Sequence, residues 1–252
     1  MSEHPSEVGV RRGANEAMSA RAKSNSPALR FLSYNVRSLR DDPDAVGRVI
    51  RSLNPDVVII QEAPRFLRWR STCAALARRV GLVWVSGGRV AGSNLVLSTL
   101  GVRTVARFDI PFTDRPKLHH RGAAAAVLEL RGRKFAVAGT HLDLIEQPRL
   151  DHLDELAAFA RLSFDDAPLI LGGDLNALPD SSTWQRCSQL GVDTFAAVGT
   201  GDGYTYSAIA PVRRIDAVFA DPRLTPISAE VIDSPDVRIA SDHRPLLVTF
   251  DL

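Results

Sequence analysis

At 252 residues, with 45% hydrophobic and 24% charged side chains, the chain has an ordinary globular composition and ample length to bury a core. Its net charge of +2 is too small to imply a polyanionic partner by itself, and no stretch approaches the apolar length that crosses a bilayer. Cys73 and Cys187 are far apart and fit no metal or redox spacing, which leaves them as buried or idle thiols on helices.

Residues 1–28 are polar, with Arg11, Arg12, Arg21 and Lys23 among Ser, Glu, Ala and Gly, and predict a disordered tail; Met18 is an alternative start. No hydrophobic signal core is present there, so the expected location is the cytoplasm. One domain is expected over 29–252. Apolar runs of strand length fall at 30–36, 56–61, 82–86, 94–98, 102–108, 122–130, 134–141, 168–173, 215–220, 228–233 and 245–251. Asp42 and Pro43 give an N-cap followed by proline at the first helical position, opening a helix to about Leu53. A second helix is predicted from near Phe66 to Val80, stopped by Gly81, and a third over 149–162. Ser181 or Ser182 caps a short fourth that ends before Gly191. Gly132 makes 122–130 and 134–141 a hairpin, which excludes a simple alternating βα chain. The inventory fits an α/β fold in which two mixed sheets pack face to face with helices outside.

Polar residues stand at one end of several of these runs. Asn35, Glu62, His141 and the Asp174–Asn176 pair follow their strands, whereas Asp216 and Asp242–His243 precede theirs. Strands running in opposite directions bring the end of one beside the start of another, so all of these groups can meet at one sandwich edge. His119–His120 read as a loop without an acid partner, and His152 as a surface residue on a helix.

Acids, amides and imidazoles in that set suit phosphate ester hydrolysis. An anionic ester repels hydroxide and has a poor leaving group, so it needs a cation, an aligned water and a stabilised departing oxygen. Hard oxygen ligands suit magnesium or manganese. Glu62 leads as ligand with Asn35 beside it, and Asp242 is a further ligand or a helper of the leaving group. Asp174 is the candidate to orient and deprotonate water, and Asn176 to donate to phosphate. His243, oriented by Asp216, is the candidate donor to a phosphoryl oxygen, and His141 a phosphate ligand or general acid.

The stretches Leu32–Asn35, Asp56–Glu62, Asn94–Ser98, Gly139–Leu142, Gly172–Ala177, Arg214–Asp216 and Ser241–His243, in that order, resemble the endonuclease/exonuclease/phosphatase superfamily. The resemblance implies a four-layered α/β sandwich, a Mg2+ or Mn2+ cofactor, the roles just given, and substrate contacts at Arg121 and Asn94. His141 occupies the motif where deoxyribonuclease- and sphingomyelinase-like members carry histidine, and Arg214–Asp216 departs from the inositol phosphatase pattern. The upstream glutamate that deoxyribonucleases pair with that histidine has no counterpart in Arg121–Ala125. The expected protein is a monomeric phosphodiesterase, with a nuclease-like substrate slightly ahead of a small molecule, lipid headgroup or phosphomonoester. A non-catalytic scaffold is the rival from another class. The stretch Arg65–Arg70 mixes bases and aromatics and suits either a nucleic acid strand or a helix with Phe66 and Leu67 packed inward. No hydrophobic hairpin of the kind secreted sphingomyelinases use on membranes is evident, which lowers the lipid option.

Overall fold

The computed structural model describes residues 28–252. The predicted tail lies outside them except for Ala28, which opens the first strand. In chain order the strands are β1 (Ala28–Asn35), β2 (Val57–Gln61), β3 (Val83–Gly88), β4 (Asn94–Ser98), β5 (Arg103–Pro111), β6 (Gly122–Leu130), β7 (Arg133–His141), β8 (Leu169–Asp174), β9 (Val192–Asp193), β10 (Asp216–Ala220), β11 (Thr225–Val231) and β12 (Leu246–Asp251). The helices are α1 (Pro43–Leu53), α2 (Trp69–Val80), α3 (Glu146–Ser163), α4 (Ser182–Ser188), α5 (Thr194–Val198) and α6 (Pro235–Ala240).

Two six-stranded mixed sheets result, ordered β11-β12-β1-β2-β4-β3 and β5-β6-β7-β8-β10-β9. Their facing surfaces share a core that includes Phe31, Ile59 and Val96 from one sheet and Phe135, Val137 and Val218 from the other. The outer face of the first sheet is covered by α1, α2 and α6 through Ile50, Leu76 and Val237. The outer face of the second is covered by α3 and α4 through Leu153, Leu156 and Trp184. Strands covered on both faces have no reason to alternate, which is why β2 and β4 read as unbroken apolar runs. The edge strand β11 instead mixes exposed positions with half-buried ones, and only Ala229 is buried.

Local chemistry sets the ends. The Asp42 carboxylate accepts from Asp44 N and Ala45 N ahead of Pro43, and α1 closes on left-handed Asn54. Arg131 (φ 53°) and Gly132 (φ 82°) form the left-handed pair that a two-residue hairpin between β6 and β7 needs. The glycines of β7 and β8 serve the contact between sheets. A Cβ on Gly139 would lie 1.8 Å from Ile59 Cγ2, and one on Gly172 2.8 Å from Ile59 Cδ1. Gly139→Ala should therefore lower the unfolding free energy by about 1–3 kcal/mol, read in urea denaturation.

Several expectations are corrected. The second helix starts at Trp69, so Phe66 and Leu67 lie in the preceding loop and are exposed. His152 is buried rather than on the surface, with its ring stacked 4.9 Å from Phe112. His120 does have an acid partner, since its Nδ1 lies 2.8 Å from Asp114 Oδ1. Both cysteines are free and buried on α2 and α4, and burial pushes their thiols up to about 11 and about 12. Among the described residues no helix is long and apolar enough to cross a membrane.

Candidate active site

The sheet registers bring the polar strand ends together. On β7, His141 pairs with Asp174 of the parallel strand β8, and Asp174 pairs in turn with Asp216 of antiparallel β10. Those partners therefore stand side by side at one sheet edge. Gly173 makes the approach possible, because a Cβ there would meet Thr140 O at 1.9 Å and its φ is +150°. In the facing sheet β1 and β2 run parallel and end together at Asn35 and Gln61, with Glu62 next.

The two sheets meet at Asp174, which is almost wholly buried. Its Oδ1 accepts from Asn176 N at 3.0 Å, an Asx turn that holds the carboxylate still. Three groups converge on its Oδ2: Asn35 Nδ2 at 3.0 Å, His141 Nε2 at 3.5 Å and His243 Nε2 at 3.6 Å. Asn35 Nδ2 also donates to Glu62 Oε1 at 3.1 Å, and Asn35 Oδ1 accepts from Arg37 N. The amide nitrogen rather than the oxygen thus faces the acids, so Asn35 ties Glu62 to Asp174, and a ligand role would require the amide to turn over. Glu62 (φ 50°) and Asn176 (φ 49°) both hold left-handed backbone, which costs energy for residues with a Cβ and is common at functional sites.

The two imidazoles have opposite surroundings. His243 Nδ1 lies 2.8 Å from Asp216 Oδ2, and Thr205 Oγ1 accepts from Asp216 N at 3.2 Å. Burial pulls the His243 imidazolium down, but Asp216 and Asp174 outweigh it and push it up to about 10. Burial dominates at His141, offset only in part by Asp174 and reinforced by the nearby Arg121 cation, and lowers it to about 3. Asn176 Nδ2 lies 3.0 Å from His141 Nε2 and donates to Leu142 O. A ring that accepts at Nε2 carries its proton on Nδ1, 4.0 Å from Glu62 Oε1.

Glu62, His141, Asp174, Asn176 and His243 line a cleft of about 370 Å³ that also takes in Arg121, Asp242 and Tyr206, whereas Asn35 and Asp216 are not part of its lining. Arg121 is buried, its Nε has no hydrogen-bond partner among the described residues, and burial lowers its pKa. Asp242 is partly open, with Arg37 Nε 3.4 Å away. Asn94 is fully buried at the start of β4, its amide nitrogen donates to Ala91 O and Gly122 O, and it is not among the residues that line the cleft. Sequence reasoning missed Ser241 and Tyr206. The Ser241 hydroxyl donates to Asn35 O at 2.8 Å, which pins the Asp242–His243 turn to β1. Tyr206 packs against the His243 ring at 4.9 Å from a loop without strand periodicity to mark it.

The donor set fits a hard cation. The tightest acid and imidazole cluster is Asp174, Asp216 and His243, with ligand atoms within 4.8 Å of one another. Asp216 already holds His243 there, and all three are buried. The more open Glu62 and Asp242 carboxylates suit a cation that keeps several waters.

The chain belongs to the endonuclease/exonuclease/phosphatase family, whose profile matches residues 32–243. Membership supports a phosphoester hydrolase. Among solved structures, an endonuclease/exonuclease/phosphatase family protein from Bacteroides thetaiotaomicron is similar at 18% identity and TM-score 0.75, over 91% of this chain and 100% of that one. A D. rerio TDP2 complexed with single strand DNA product is similar at 21% identity and TM-score 0.71, over 89% and 99%. A mannosyl-6-phosphatase from B. thetaiotaomicron gives 17% identity and TM-score 0.75, over 89% and 100%. At such identities these likenesses show the shared fold. Comparison with curated proteins returns no match.

Proposed function

We propose that the cleft hydrolyses a phosphodiester by attack of an activated water, with a divalent cation held at Glu62 and Asp242. The observation that carries this reading is the convergence of Asn35, His141 and His243 on one oxygen of a buried carboxylate, Asp174. A bound Mg2+ or Mn2+ would neutralise phosphoryl and leaving-group oxygens. Asp174, fixed at both oxygens, orients a water and takes its proton. His243, held by Asp216, donates from Nε2 to a phosphoryl oxygen as charge builds. His141, with its Nε2 beside the Asn176 amide, turns Nδ1 toward Glu62 and serves better as a phosphate ligand than as a general acid. Asn176 then acts chiefly by positioning His141. Arg121, buried and unsatisfied at Nε, supplies a fork for a phosphate oxygen. A scaffold would have no need of buried acids and imidazoles converging on one cleft, nor of a buried guanidinium left unsatisfied beside them.

The test is a panel of bis(4-nitrophenyl) phosphate, 4-nitrophenyl phosphate, a single-stranded oligonucleotide and phospholipid headgroup esters, each with magnesium or manganese. Diester turnover ahead of monoester turnover is expected, and turnover of none of them would sink the enzyme reading.

A further inference from the structure

The loops that leave the catalytic edge carry exposed aliphatic side chains. Leu67 is 93% exposed in the loop after β2, Leu144 71% in the loop after β7, and Ile209 75% in the loop before β10. Phe66, Ile145 and Val212 stand beside them and are also exposed. Each loop is tied to the cleft, since Arg65, Leu144, Tyr206 and Arg213 line it and Ala208 N donates to Asp242 O. A second, larger groove of about 1030 Å³ adjoins the cleft through Arg65 and Ser93. Phe66, Leu67 and Val90 line it together with Arg68, Arg70 and Arg89. None of those three arginines, nor Arg213, has a carboxylate partner within 4.0 Å among the described residues, which leaves their charge free to meet an anion. Asp114, the acid of the groove, is bound to His120.

We propose that this rim docks on an anionic lipid surface, with the aliphatic tips entering the headgroup boundary and the arginines meeting lipid phosphates. Isolated apolar tips set among unpaired cations have the composition of an interfacial surface. Each arginine near an anionic leaflet adds electrostatic attraction, and its stem lies along the apolar boundary. A nucleic acid strand fits less well, because bases stack on aromatic faces, and among these tips Phe66 is the one ring beside the aliphatic Leu67, Leu144, Ile145, Ile209 and Val212. Trp69 in the groove is committed, packed edge-on to Trp84 at 6.0 Å with Arg70 over its face at 4.4 Å. The docking rests on the phosphodiesterase reading only for its consequence, that the cleft opens toward headgroup phosphates.

The test is sedimentation of the full chain with vesicles of phosphatidylcholine, with and without phosphatidylglycerol, at low and high salt. Binding to the anionic vesicles, weakened by salt, is expected. Phe66→Ser with Leu67→Ser should lower the partition coefficient at least about tenfold while leaving turnover of a soluble diester unchanged. Leu162→Ser, on an 87% exposed position of α3, should change neither. Wild-type protein that stays in the supernatant, or a double variant that binds as well as wild type, overturns the proposal. So does a double variant that loses oligonucleotide binding while no form binds vesicles, which would assign the rim to a strand. Sedimentation needs no turnover, so an inactive protein that still binds vesicles would sink the hydrolysis reading alone.

Discussion

Asp174→Asn is expected to lower kcat for a soluble phosphodiester by roughly 10³-fold, with KM changed far less and the protein still folded. The substitution is nearly isosteric and keeps an oxygen to accept from Asn176 N, so the Asx turn can survive. What it removes is the anionic oxygen on which Asn35, His141 and His243 converge. An amide there cannot take a proton from water, and its NH2 would face the Asn35 donor. Steady-state kinetics on bis(4-nitrophenyl) phosphate, beside a thermal melt of both proteins, reads the effect. A fall in kcat of less than about tenfold would remove Asp174 from the role of base.

His243→Gln should lower kcat about 10²-fold while sparing KM, since the donor acts on charge that develops only during reaction. Glutamine is preferred to alanine because Asp216 is buried, and removing its partner altogether would leave an uncompensated charge. Asp216→Asn is expected to act through His243, since its carboxylate contacts the imidazole and does not line the cleft. Its effect should be smaller than that of His243→Gln. In the double variant the two losses should not add, because both interrupt one donor. Additive losses would mean that Asp216 has a role of its own.

Much of the sandwich was legible because β1, β2, β4, β6, β7, β8 and β12 are apolar runs bounded by polar groups or turns. The family's marks lie at those same ends. Beyond the hairpin of β6 and β7, pairing between strands was not legible. Nothing local in the chain says that His141, Asp174 and Asp216 share a register, since that depends on β7 and β8 lying parallel and β10 antiparallel. Short elements escaped for a related reason: β9 has two residues, and α5 and α6 have five and six, too few to show a period. The Asp193 and Ser234 caps were the available signals. His152 was misplaced because the neighbouring Asp151 marked that stretch as solvated, while helix geometry turned the imidazole inward onto Phe112. The apolar rim was hidden for another reason. Leu67, Leu144 and Ile209 stand on separate loops, and only the fold brings residues of those loops, Arg65, Leu144, Tyr206 and Arg213, to one cleft.

The most direct test of a cation-dependent hydrolytic site is turnover of bis(4-nitrophenyl) phosphate by metal-stripped protein as magnesium is added back, for wild type and Glu62→Ala. Wild type is expected to be silent without metal and to recover along a saturating curve, whereas Glu62→Ala should need far more magnesium or fail to recover. Undiminished turnover by the stripped wild-type protein, or identical curves for the two proteins, would contradict it.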